Sequence, residues 1–209
     1  MRSFLSLLPP ALAAFLLPSC ASSGGAEERL IPTWRALATE DDRRRLREWR
    51  DAWTEALDEA RAAGHSAEIA AEGALLEPDS ALPGSALPSG DYRCRTIKLG
   101  SRGDDGLAFV AYPAFRCRVT PGADGLLHLA KVGGSQRPVG RLLEEHNRWM
   151  IFLGTLQLGD ERSALSYGRD RERNLAGRLE RVGEQRWRIA FPFPHFESLL
   201  DVLELVPAS

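Results

Sequence analysis

Ser135, in Gly133-Gly-Ser-Gln-Arg137, is the chain's candidate hydrolytic nucleophile. A nucleophile elbow needs a second glycine two residues after the serine, on a strand-to-helix turn. Arg137 stands at that position, and no such turn is predicted there. The serine would also need a histidine base, and His65, His128, His146 and His195 are scattered without a distinctive partner. The favoured reading is a tight loop in which Ser135 and Gln136 bond the backbone. Carboxylates are the other source of chemistry. Asp160 and Glu161 are adjacent, and Glu197 and Asp201 lie near the C-terminus. Two carboxyls of unequal pKa can cleave a glycoside. The sequence sets no two of these at a catalytic separation, and salt bridges to the abundant arginines are the simpler use. Gln136, Arg137, Asp160 and Glu161 form a candidate polar site, and no catalytic residue is assigned. No loop spaces carboxylates as a calcium site does, and the cysteines lack partners at zinc-ligand spacing. Neither a metal nor a cofactor is expected.

Cys94 and Cys117 share a local frame, Arg93-Cys-Arg95 and Arg116-Cys-Arg118. Folding the chain about Asp105-Gly106, a hairpin signal, sets Cys94 opposite Cys117. Gly100, Gly103 and Pro113 can each insert a bulge, so this register is soft. A disulfide is expected if the protein reaches an oxidising compartment; two free thiols or a metal site are the alternatives. With the cysteines, Phe115 and Val119 inward, alternation sends Arg93, Arg95, Arg116 and Arg118 to the opposite face. Guanidinium groups on paired strands repel one another unless something answers them. Carboxylates of this chain or water would do so, as would an anionic ligand, a lipid headgroup or an acidic envelope protein.

The oxidising compartment is argued from the N-terminus. Arg2, an apolar run from Phe4 to Leu17 and small residues around Cys20 describe a signal peptide. Leu17-Pro-Ser-Cys20 resembles a bacterial lipobox, with Pro18 the atypical position. Lipidation of Cys20 is the favoured outcome, and ordinary cleavage after Ala21, giving a soluble periplasmic protein, is the alternative. Ala21 after the cysteine implies an outer-membrane lipoprotein facing the periplasm, held on the membrane through Cys20. The formal net charge of −2 provides no basic field for nucleic acid. Of the 27 basic residues only Lys98 and Lys131 are lysines; the other 25 are arginines. A GC-rich coding sequence explains that skew, and bidentate recognition of carboxylate or phosphate would explain it functionally.

These residues need a frame to hold them. After a signal peptide (1–19) and tether (20–33), residues 34–76 read as helical. Thr39 with Asp42 makes an N-terminal cap, Leu46, Trp49, Trp53, Leu57 and Ala60 form one apolar stripe, and Gly64 supplies a stop. Residues 77–90, with three prolines, form an irregular connector. Residues 91–209 show short strands between turn signals, predicted at 92–99, 107–120, 126–132, 139–143, 149–158, 164–167, 175–182, 186–193 and 200–206. Trp149–Leu153 is apolar on both faces, as for a strand covered on both sides. The fold class is therefore mainly β with an N-terminal helical segment. An antiparallel up-and-down barrel or strongly curved sheet of about eight strands, lipocalin-like in outline, closes the exposed edges.

The wording of the strand region also carries a resemblance. Tyr92-Arg-Cys-Arg-Thr-Ile-Lys-Leu-Gly100, Gly134-Ser-Gln-Arg-Pro138, Phe152-Leu-Gly154, Leu158-Gly-Asp-Glu161, Arg186-Trp-Arg188 and Phe196-Glu-Ser-Leu-Leu-Asp201 resemble the bacterial family DUF4893, a domain of unknown function. The resemblance spans about residues 34–207 and implies an exported or lipid-anchored envelope protein, with no catalytic residue to carry over. The combined expectation is a non-catalytic, lipid-anchored protein that binds a small or anionic ligand or an envelope partner. A periplasmic hydrolase and a structural assembly lipoprotein are the alternatives.

Overall fold

The computed structural model describes residues 33–103 and 106–208. Cys20, the signal segment, the tether up to residue 32 and the turn residue Asp105 lie outside the described residues. Among the described residues nine strands follow the helical segment: β1 (Gly90–Leu99), β2 (Phe109–Ala111), β3 (Phe115–Pro121), β4 (Leu127–Lys131), β5 (Gln136–His146), β6 (Trp149–Leu158), β7 (Asn174–Gly183), β8 (Arg186–Pro192) and β9 (Leu200–Pro207). Neighbours pair antiparallel from β3 through to β9, and β9 returns to β1 from Leu99↔Leu200 to Tyr92↔Pro207. The result is a closed eight-strand barrel with β2 as an extra strand on β1, so the ladders of the eight leave no open edge.

Two strand expectations are corrected. The strand predicted over 107–120 is split, because Pro113 cannot donate to a ladder. β2 pairs with Ile97–Leu99, β3 pairs with Gly90–Cys94, and Tyr112-Pro-Ala114 separates them. The register moves with the break: Cys94 faces Phe115 and Cys117 faces Tyr92, two residues from the predicted match. The disulfide still forms diagonally, with the Cys94 and Cys117 Cα atoms 5.8 Å apart. The segment at 164–167 is a loop. Tyr167 is drawn to the helices instead, where its hydroxyl donates to Asp42 and accepts from the Thr39 N–H at 3.0 Å.

The helical segment comprises α1 (Trp34–Leu37), α2 (Glu40–Arg47), α3 (Trp49–Ala62), α4 (Ser66–Glu72) and a 3₁₀ turn (Gly73–Leu75). Thr39 caps α2, its Oγ1 accepting from Asp42 N at 3.2 Å. Gly64, at φ +97°, ends α3, a conformation glycine takes without strain. The apolar stripe is divided by a break at Glu48. Leu46 joins Trp34, Ile151 and Leu153, while Trp49, Trp53, Leu57 and Ala60 pack on Ile97, Leu99, Leu200 and Val202. The helices thus cover outward-facing residues of the barrel, and its inward residues form a core of their own.

That inner core is filled unevenly. Gly140 and Gly154 face each other across β5 and β6, and Phe152 lies over them, edge-on to Phe191 at 5.4 Å. A Cβ on Gly154 would come within 2.3 Å of Val139 O, so only glycine fits. One end is closed by Leu87, Tyr92 and Trp187, with the Tyr92 hydroxyl donating to Pro88 O at 2.6 Å. Space remains at the other end.

Candidate ligand site at the barrel mouth

Side-chain alternation builds the mouth. On β1, Tyr92 and Cys94 point inward, and the same parity carries Thr96 and Lys98 to the open end. β4 sends Leu129 and then Lys131 inward, β5 contributes Gln136 and Pro138, and β9 begins with Asp201 on the inner face. Together with Phe115, Leu156, Leu175, Phe191 and the β8–β9 loop they line a cavity of about 160 Å³. The loop holds Phe193 at φ +45° and Glu197 at φ +66°. Left-handed backbone is strained for such side chains, so the surrounding contacts must enforce it.

At Glu197 those contacts converge on Lys98. Its ammonium lies 3.0 Å from Asp201 Oδ2 and 3.3 Å from Glu197 Oε2. The Ser198 hydroxyl donates to Asp201, and Gln136 Nε2 donates to Glu197 at 3.2 Å. Burial pushes the Lys98 amine down, but Asp201 and Glu197 outweigh it and hold the amine above its ordinary value. Asp201 is pushed up by its own burial, against Lys98 and Ser198.

Lys131 differs. It is 6% exposed, its Nζ donates to Gln136 O at 3.0 Å, and it stands 4.5 Å from the centre of the Phe115 ring. Among the described residues no carboxylate pairs with it. Burial pushes this amine down, and the charge of Lys98 pushes the same way. Gly134, at φ +85°, turns the chain tightly beside it; a Cβ there would sit 3.3 Å from the ammonium. The loop around Ser135 therefore serves to admit Lys131 and Phe115.

The candidate polar site divides. Gln136 lines the cavity, whereas Arg137 donates to the carbonyls of Gly134 (2.9 Å), Gly159 and Glu161 (3.1 Å) and staples two loops. Glu161 accepts from Leu158 N at 2.9 Å and pairs with Arg173, and Asp160 is exposed. Ser135 is at the rim, and none of the four histidines hydrogen-bonds it among the described residues. His195, also at the rim, is held below its ordinary pKa by burial and by Arg45. Of the four outward arginines, Arg95 is answered by Glu72 and Glu204 and Arg118 by Asp91. Arg93 and Arg116 are exposed, face each other in register, and pair with no carboxylate among the described residues. Among the described residues no group of three or more His, Cys, Asp and Glu side chains gathers as a metal site.

The family model for a domain of unknown function, DUF4893, matches residues 34–205. The chain belongs to DUF4893. No curated protein and no solved structure matches it. The DUF4893 match spans the helices and the barrel as far as Leu205 in β9, so the mouth is built within the family's domain. In the sequence of this DUF4893 chain the two lysines stand out only by composition. The signal that marks them is that scarcity itself.

Proposed function

We propose that this DUF4893 protein is an exported, lipid-anchored binding protein. Its ligand is small, anionic or strongly polar at its head and apolar in its body, and it sits in the barrel mouth. Lys131 carries the reading: a buried amine without a carboxylate partner among the described residues, facing a cavity walled by Phe115, Leu156, Leu175, Phe191 and Phe196. A buried charge is costly until it is paired, and a ligand head would pair it. Small-ligand sites combine this kind of apolar wall with a few placed polar groups. Native mass spectrometry of gently purified protein should show a retained ligand that Lys131→Met loses. A clean apo mass from the wild type, unchanged by added small acids, would sink the reading. Intact mass of the membrane-extracted protein tests the anchor separately, because Cys20 should carry acyl chains.

A second reading rests on Arg93 and Arg116. Like charges directly opposite on paired strands destabilise a sheet, and an acidic envelope partner would relieve them. Arg93→Glu with Arg116→Glu should remove a co-purifying partner, and an unchanged pull-down refutes it.

A further inference from the structure

Arginine supplies 25 of the chain's 27 basic residues, yet both lysines face one cavity. At Arg137 the guanidinium has a visible use, since its fork of donors reaches several acceptors at once. What an amine offers and a guanidinium does not is a small head that can lose its proton and act as a nucleophile. Lys98 uses the small head to fit between Asp201 and Glu197. Among the described residues Lys131 has no such pairing. Its Nζ makes one hydrogen bond there, to Gln136 O, and faces apolar wall and cavity.

We propose that Lys131 is a covalent attachment point, whose amine condenses with the carbonyl group of a small aldehyde or ketone held in the barrel mouth. The inference rests on the mouth being a ligand site and adds the chemical class of the ligand. The Nζ lone pair adds to the carbonyl carbon, and a proton moves from nitrogen to oxygen to give a carbinolamine. That hydroxyl then leaves as water, taking the second N–H proton, and a C=N bond remains. No oxidant or reductant is consumed, and water reverses the step. Desolvation beside a second cation is an established way to activate a lysine. Lys98, kept charged by its two carboxylates, supplies that cation and stays unreactive itself.

The scarcity of lysine makes the test clean, because only Lys98, Lys131 and the N-terminus offer amines. Full-length protein is incubated with hexanal and sodium cyanoborohydride, digested, and the adduct mapped. The expected result is alkylation at Lys131 with Lys98 unmodified. Lys131→Arg keeps the charge and should lose the adduct while still binding hexanoate in native mass spectrometry. Lys131→Met should lose both. Equal modification of Lys98 and Lys131 overturns the inference, as does an absent Lys131 adduct in protein where hexanal displaces hexanoate. If neither probe enters the mouth, the ligand-site reading falls and the inference with it.

Discussion

Lys131 is a residue whose function and stability pull in opposite directions. An amine held below its ordinary pKa binds protons less readily folded than unfolded, so folding opposes its charge. Methionine has similar length and no charge to desolvate. Lys131→Met should therefore raise stability by about 1 kcal/mol, as replacing buried ionic groups with apolar ones often does. A rightward shift of the urea midpoint checks this, and a leftward shift would make Lys131 a structural anchor. Asp201 is the contrasting case at the same site. Asp201→Asn should cost about 3 kcal/mol, because it strips the buried Lys98 of a paired charge. Glu197, 56% exposed, cannot replace it fully.

At the scale of elements, arginine holds irregular chain against regular strands. Arg188 projects outward from β8 and is fully buried under the helical segment. It pairs with Glu180 at 2.7 Å and donates to the carbonyls of Ala74, Leu75, Glu77 and Pro78 at 2.7–3.2 Å. Those carbonyls leave the 3₁₀ turn and enter the connector, where no ladder can satisfy them, and buried carbonyls need partners. Lysine keeps the charge but has neither the fork nor the reach. Arg188→Lys should thus cost about 3 kcal/mol, close to removing one member of a buried pair. Limited proteolysis within 77–90 should quicken in step with the loss of stability. A variant as stable and as resistant as wild type would show that the connector is held by apolar packing alone.

At the scale of the molecule, the barrel was legible because its signals are local: alternation in 186–192, turns at short spacing, Thr39 with Asp42. The mouth was not, because Lys98, Lys131 and Asp201 come from β1, β4 and β9 and meet only when the barrel closes. Tyr167 misled for the same reason, since its strand-like surroundings are overruled by a long-range bond to α2. Closure itself has an electrostatic seam. Arg95 of β1 faces Glu204 of β9, Arg186 of β8 donates to Glu204 at 2.6 Å, and Glu72 of α4 accepts from Arg95 at 2.9 Å. Burial would raise the Glu204 carboxyl, but Arg95 and Arg186 outweigh it and hold it below its ordinary value. A carboxyl depressed by folding contributes stability above its unfolded pKa and loses it as pH falls through the folded one. Glu204→Gln should cost about 2 kcal/mol at neutral pH, in the range of hydrogen bonds to charged groups. The cost should shrink as the solution is taken below the ordinary carboxylate range, because wild-type Glu204 is then protonated too. Urea midpoints of both proteins across that range decide it. A gap that stays constant with pH would mean Glu204 acts through packing, and that the barrel closes on its backbone ladders without help from the seam.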